Sequence, residues 1–154
     1  MKNKKIWKIF SFLAVIIFFL AGFFLINNLK GSLNIKSVKI AGQNIKVDLA
    51  LTEAEQEQGL SGRQSLAANE GMLFVFASPG DYQFWMKDMN FPIDMIWLDQ
   101  NLKVIYIEKN ATPISYPETF GPGPNDGEAK FVLEVPDGFS EKNNLQVGDS
   151  AEFR

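Results

Sequence analysis

The segment 84–99 holds most of the side chains in this chain that could do chemistry. It contains two of the three tryptophans, three of the five methionines and the charged residues Lys87 and Asp94. Lys87 and Asp94 could act as acid and base in a cleft that Trp85 helps to wall. The alternative, which we favour, is a hydrophobic core in which tryptophan and methionine pack while Lys87 pairs with Asp94.

Arg63 is a further candidate binding residue. It follows Gly59 and Gly62 and precedes the pair Glu70 and Gly71, where a strand is predicted to begin. Its guanidinium group could bind a carboxylate or phosphate of a ligand through paired hydrogen bonds. It could equally pair with Glu70 or another acid and fix its own loop. The sequence leaves both interpretations open.

The chain contains 0 cysteines and 0 histidines, which limits its chemistry. It has no disulfide, no thiol nucleophile and no serine–histidine or cysteine–histidine pair. A zinc site built on imidazole or thiolate is likewise excluded. We predict no metal and no cofactor. Any chemistry must come from carboxylates, lysine, tyrosine, hydroxyls or the backbone, and no residue is assigned as catalytic.

Charge is distributed unevenly along the chain. All 18 acidic residues follow position 30 together with ten of the 15 basic residues, which gives that part a net charge of −8. An acidic domain repels the phosphate backbone of nucleic acids, so we predict that nucleic acid is not a partner. It also repels anionic lipid headgroups, so the domain should not lie flat on a membrane.

An unbroken apolar run, residues 9–26, predicts a single transmembrane helix. Eighteen helical residues extend about 27 Å, close to the thickness of the hydrocarbon core. Four lysines precede the run and Lys30 alone follows closely, which predicts a cytoplasmic N-terminus and residues 31–154 outside. We therefore expect an uncleaved signal anchor in the cytoplasmic membrane. The alternative is secretion after cleavage, although no Ala-x-Ala site ends the run.

The remaining chain is long enough for one domain. We divide the chain into a basic tip and anchor (1–30), a spacer with a first strand (31–42) and a β-rich domain (43–154). Residues 45–51 alternate apolar and polar side chains, as a half-buried strand does. Thr52 and Glu55 form a capping box that predicts a helix over 53–58, and Gly59 suits the residue that ends it.

Strands dominate the rest of the predicted domain. They are expected at residues 35–40, 72–76, 83–86, 94–98, 103–108, 130–135 and 150–153. Residues 111–127 contain four prolines and three glycines and predict a long irregular loop. A helical turn is expected within 138–145 with Ser140 as its cap. The fold class is therefore mainly β, a compact antiparallel sandwich or barrel-like domain with one or two short helices.

Six short motifs follow one another along the soluble part of the chain. They are Gly59-Leu60-x-x-Arg63, Glu70-Gly71-Met72-Leu73-Phe74-x-Phe76, Phe84-Trp85-Met86-Lys87, Pro92-Ile93-Asp94, Ala129-x-x-Val132-Leu133-Glu134 and Val147-Gly148-Asp149. In this order they resemble the bacterial and archaeal domain-of-unknown-function family 192, over about residues 43–154. The resemblance implies a compact β-rich fold, often behind a signal or anchor, and no established reaction, substrate or cofactor.

On the family pattern, Arg63, Trp85, Lys87 and Asp94 are the residues expected to share a site. This chain departs from the pattern at one place. Members often carry a cysteine in the loop that matches residues 111–123, and here residues 112–116 have none. Chemistry that depends on such a cysteine is closed to this protein.

Three functions remain open from the sequence. The first is a non-catalytic binding or interaction module of the cell envelope, in which Trp85, Tyr82 and Tyr116 stack on a cell-wall polymer or pack against an envelope protein. The second is an enzyme in which Lys87 and Asp94 do acid–base chemistry while Arg63 holds an anionic substrate. The third is a structural accessory of a membrane complex. We rank the binding module first.

Overall fold

The computed structural model of the protein describes residues 33–154, and residues 35–154 form a compact unit of their own. The predicted anchor, residues 9–26, lies outside the described residues. Within 33–154 no helix has the length and apolar character needed to cross a bilayer.

Nine strands and three short helical segments make up the described domain. In chain order they are β1 (Ser37–Ile40), β2 (Gln43–Ala50), α1 (Glu53–Gln58), β3 (Glu70–Gly80), β4 (Phe84–Trp85), β5 (Ile93–Leu98), β6 (Val104–Ala111), a 3-10 helix (Pro113–Ser115), β7 (Thr119–Phe120), β8 (Ala129–Pro136), α2 (Phe139–Lys142) and β9 (Glu152–Phe153).

Seven of these strands form one sheet in the order β6-β5-β8-β3-β2-β1-β9, and β4 pairs with β7 in a second sheet. All strand pairs of the large sheet are antiparallel except β2 with β3, which are parallel. Parallel neighbours cannot be joined by a tight hairpin and need a crossover. Here the crossover consists of α1 and the loop 59–69, and the start of this loop forms part of the candidate binding site.

The large sheet curls until its two ends meet. Lys103, just before β6, forms an isolated bridge with Ser150, just before β9. Backbone amides of Val104 and Ala151 donate to the carbonyls of Asp149 and Leu102, both at 2.8 Å. These bonds pair backbone groups that would otherwise remain open at the sheet edges, and they give the domain a barrel-like shape.

Each face of the sheet carries its own hydrophobic core, because side chains alternate between the two faces along every strand. On β5, Ile96 and Leu98 belong to the first core while Met95 and Trp97 belong to the second. The first core also contains Phe139 of α2 and Leu145. The second core is covered by loop residues, Leu60 and Met86 among them.

The structure confirms the mainly β fold, its barrel-like form and its two short helices. Helix α1 spans the predicted residues, and its capping box is formed. The Glu55 amide donates to Thr52 Oγ1 at 3.3 Å, and the Thr52 amide donates to Glu55 Oε2 at 2.8 Å. Gly59 ends the helix with a φ of 48°, a conformation that favours glycine. The predicted loop 111–127 contains only the 3-10 turn and the two-residue β7.

One local prediction is wrong. Ser140 does not cap the helical turn, which spans Phe139–Lys142 and begins after Gly138, whose φ is 74°. The Ser140 hydroxyl is buried and has no hydrogen-bond partner within residues 33–154. The physical reason is that the first amides of this turn are bound by a carboxylate from another strand, that of Asp94. A side-chain cap from within the turn is therefore unnecessary.

Candidate binding site

An open hollow of about 310 Å³ lies over the second core of the sheet. Its size is at the lower end of the range for small-molecule sites. Two loops, residues 59–63 and 82–91, form its sides. The lining residues are Gln56, Glu57, Gln58, Gly59, Leu60, Ser61, Phe74, Phe76, Tyr82, Gln83, Phe84, Trp85, Met89 and Glu134.

Hydrogen bonds hold the two loops to each other. The Ser61 hydroxyl donates to the Lys87 carbonyl at 2.8 Å, and the Gly62 amide donates to the Asp88 carbonyl at 2.9 Å. The Asn90 side-chain amide donates to the Arg63 carbonyl at 2.8 Å. The loop that follows α1 is thereby positioned beside the loop that carries Trp85.

Aromatic rings form the wall of the hollow and join it to the core. Phe84 packs edge-on against Phe74 and Trp97, with ring centroids 4.8 and 5.5 Å apart. Tyr82 stacks on Phe76, and its carbonyl accepts a hydrogen bond from the Trp97 indole at 2.8 Å. These rings are therefore held in defined positions.

Trp85 differs from these neighbours because 48% of it is exposed. It lies on the short strand β4, which pairs with β7. A large aromatic residue that leaves half of its surface in water beside a hollow is available to a ligand. The structure thus places one sequence-predicted site residue at the rim of the hollow.

Among the described residues, Glu134 carries the one buried carboxyl group on the sheet face beneath the hollow. It lies on β8 between Met72 of β3 and Met95 of β5, and only 5% of it is exposed. Its Oε2 atom is buried without a hydrogen-bond partner among the described residues. Burial raises the pKa of Glu134 to about 8, although the charge of Arg63 acts in the opposite direction. Burial therefore favours the protonated form of this carboxyl group.

Arg63 pairs with an acid of its own chain. Its Nη2 atom lies 2.9 Å from Asp48 Oδ2. Of the two interpretations of Arg63, the structure shows the internal pair. The acid is Asp48 rather than Glu70. Glu70 Oε1 instead lies 3.9 Å from Lys46 Nζ. Asp48 is the cross-strand neighbour of Met72, so Arg63 lies over the sheet face that carries Glu134.

Asp94 lies on the other face of the sheet. It is fully buried, and its carboxylate accepts hydrogen bonds from the backbone amides of Asn110, Gly138 and Ser140 at 2.9, 3.2 and 2.8 Å. Met95, the next residue along β5, belongs to the core beneath the hollow, so the alternation of the strand directs Asp94 away from it. The carboxylate joins the end of β6 and the start of α2 to the sheet.

Lys87 is exposed and borders a shallow surface with Glu57, Asp88 and Gly62. The expected pair between Lys87 and Asp94 is wrong: none of the salt bridges among residues 33–154 involves Lys87. Asp94 is satisfied by backbone donors. Arg63 and Lys87 thus lie on the two loops that hydrogen bonds join, but of the four predicted site residues only Trp85 lines the hollow, and Asp94 lies on the opposite face of the sheet.

Sequence reasoning did not select Glu134 as a site residue, although Glu134 closes one of the six motifs. A signal was present, because Glu134 is the single charge in the apolar stretch 131–135. A lone acid at an alternating position of a buried strand must either find a partner or remain protonated. Among the described residues no group of three or more acidic side chains is arranged to hold a metal ion.

Residues 36–153 match the sequence profile of DUF192, described as Uncharacterized ACR, and the chain belongs to this family. A comparison with curated proteins found no match. A crystal structure of a protein of unknown function from Novosphingobium aromaticivorans DSM 12444 is 30% identical, with a TM-score of 0.71. The match covers 77% of this chain and 84% of that one.

A second similar structure comes from Sinorhizobium meliloti 1021, where the protein is provisionally named a transcription regulator. It is 28% identical with a TM-score of 0.68, and the match covers 76% of this chain and 90% of that one. The fold of the described residues is thus similar to those of two solved bacterial proteins.

The contacts of Asp94 predict a structural role. In the Asp94→Ala variant, three backbone amides lose a charged acceptor, and we expect the free energy of unfolding to fall by about 3 kcal/mol. Urea unfolding measures the change. The Asp137→Ala variant, which removes an exposed acid nearby, should change stability by less than about 0.5 kcal/mol. Unchanged stability of Asp94→Ala would contradict the assignment.

The raised pKa of Glu134 predicts that stability falls as pH rises between about 4.5 and 8. In this window the unfolded chain has released the Glu134 proton while the folded chain still holds it, so ionisation favours the unfolded state. The contribution has a slope of at most about 1.4 kcal/mol per pH unit. This fall in stability with pH should be absent from the Glu134→Gln variant and retained in the control variant Glu118→Gln, which changes an exposed acid. A stability difference between wild type and Glu134→Gln that stays constant from pH 5 to pH 8 would refute the shift.

Proposed function

We propose that this protein is a non-catalytic binding module that holds a small ligand in the hollow between Trp85, the loop 59–61 and Glu134. The observation that carries the proposal is the buried, unpartnered Glu134 Oε2 at an open, aromatic-walled hollow. A buried polar atom without a partner costs free energy, and a bound ligand with a donor group would remove that cost.

The contacts of Asp94 favour binding over catalysis. The acid–base alternative needs Lys87 and Asp94 near a common substrate, with Arg63 free to bind an anion. Asp94 is instead surrounded by backbone donors, and Arg63 is engaged by Asp48. The aromatic residues that could contact a ligand, by contrast, lie together around the hollow.

We further propose that the apolar run 9–26 anchors this module in the cytoplasmic membrane with the domain on the outer side. The four lysines before the run, against Lys30 alone shortly after it, support this orientation. The ligand would then come from the cell envelope, as part of a cell-wall polymer or of an envelope protein. The alternative role, as a structural accessory of a membrane complex, would place the same surface against a protein partner.

Truncation of Trp85 tests the binding site. The Trp85→Ala variant should lose affinity at least about tenfold for a compound bound in the hollow, because a half-exposed tryptophan contributes mainly to contact with a ligand. Its free energy of unfolding should change by less than about 1 kcal/mol. Ligand-observed NMR with soluble peptidoglycan fragments and small aromatic, sugar and amine compounds would detect binding.

The matched control is Ile114→Ala, since Ile114 is a large apolar residue that is 91% exposed and is not among the lining residues. This variant should bind as the wild type does. If Trp85→Ala melts at a much lower temperature, Trp85 stabilises the core and the proposed role fails. Equal binding by Trp85→Ala and wild type would reject the hollow as the site.

Protease treatment of intact cells tests the topology. Protease added outside, with access through any outer layer, should degrade residues 31–154, while a tag fused before Met1 stays protected. Secretion after cleavage would instead release the domain into the soluble extracytoplasmic fraction. A domain that survives in intact cells and is degraded only after lysis would show that the orientation is inverted.

A further inference from the structure

We infer that the hollow selects an organic cation, an ammonium group on an apolar or aromatic body, with its charge placed against Glu134. This inference rests on the proposed function and names the class of ligand. It follows from the acidic residues of the lining, from the lack of a donor to Glu134 Oε2 among the described residues, and from the aromatic wall.

The lining of the hollow carries only one sign of charge. Its ionisable acids are Glu57 and Glu134, and no lysine or arginine is among the lining residues. Arg63, whose charge acts on Glu134, is bound to Asp48. A carboxylate or phosphate ligand would meet two acids and no base, whereas a cation is favoured by the local charge and by the net charge of the domain.

Among the described residues, no group donates a hydrogen bond to the buried Oε2 atom of Glu134. Its cross-strand neighbours Met72 and Met95 have no hydrogen to donate, and the rings that surround the hollow are mainly hydrocarbon. The Tyr82 hydroxyl is already used, since it donates to the Ser78 carbonyl at 2.8 Å. An ammonium group carries three donors and a charge, so it satisfies both the open lone pairs and the ionised form of the carboxyl.

The aromatic wall suits the same class of ligand. Phe74, Tyr82, Phe84 and Trp85 line the hollow, and ring faces attract cations when water is excluded. The apolar surface of these rings, with Leu60 and Met89, would contact the body of the ligand. A bare metal ion would use the carboxylate alone, which leaves this apolar lining without a role.

Binding of an ammonium ion should be linked to release of the Glu134 proton. The charge of Arg63, which is paired with Asp48, acts on Glu134. Glu57 on α1 and Tyr82 before β4 line the same hollow, and the cross-strand neighbours of Glu134 are both methionines. Because burial raises the pKa of Glu134 to about 8, cation binding must displace a proton at neutral pH. Affinity should therefore increase from pH 6 to pH 9.

Three matched probes test the inference on the full-length chain in detergent micelles. They are 2-phenylethylamine, its neutral counterpart 2-phenylethanol and its anionic counterpart 3-phenylpropionate, each titrated by calorimetry with detergent blanks subtracted. We expect the wild type to bind the amine at least about tenfold more tightly than the alcohol, and the carboxylate more weakly than both. This comparison does not depend on any variant.

Glu134→Gln keeps the shape of the side chain and removes its negative charge. In this variant the amine should bind no more tightly than the alcohol, and the increase in amine affinity with pH should disappear. Glu118→Gln is the control for general charge, because Glu118 is exposed and is not among the lining residues. This variant should retain both the preference for the amine and its pH dependence.

The outcomes separate this inference from the proposed function. If the alcohol or the carboxylate binds as well as the amine, and Trp85→Ala abolishes that binding, the hollow is a binding site but the cation inference is overturned. An undiminished preference for the amine in Glu134→Gln also overturns it. If none of the probes binds the wild type at millimolar concentration, the inference and the proposed hollow both fail.

Discussion

Both faces of the large sheet are apolar, and both must be removed from water. This constraint shapes the rest of the domain, because one sheet of about 120 residues cannot rely on a second layer to cover each face. The first face is closed by curvature, as the bonds between residues 102–104 and 148–151 bring the sheet ends together. The second face has to be covered by loops.

Coverage by loops is less complete than coverage by a second sheet, and the hollow is the consequence. The loops 59–63 and 82–91 are joined by hydrogen bonds, yet they leave an open space above β3 and β8. On the second face, the ring of Phe84 packs edge-on against the rings of Phe74 and Trp97. Glu134 lies where this packing ends, which explains how a carboxyl group can be buried beside a space that a ligand could enter.

The alternation of side chains along β5 and β8 separates two acids that have different roles. Asp94 and Met95 are adjacent in sequence, and their side chains lie on opposite faces of the sheet. The carboxyl group of Asp94 accepts hydrogen bonds from backbone amides of two other elements, which makes it a structural residue. Glu134, the cross-strand neighbour of Met95, has no such donors. Two buried carboxyl groups thus differ because their faces supply different partners.

Local patterns were sufficient to predict much of the domain. The alternation in residues 45–51, the capping box of Thr52 and Glu55, and the lack of cysteine and histidine act over a few residues or over composition, so they can be read without a structure. The site could be predicted only in part, since Trp85 and the loop of Arg63 are near the hollow while Asp94 is on the other face. The remaining features depend on residues far apart in the chain. They are the donors that reach Asp94, the acid that binds Arg63 and the lack of a partner for Glu134 Oε2 among the described residues. Strand order and sheet curvature bring those residues together, because hydrogen bonding and burial respond to neighbours in space rather than in sequence.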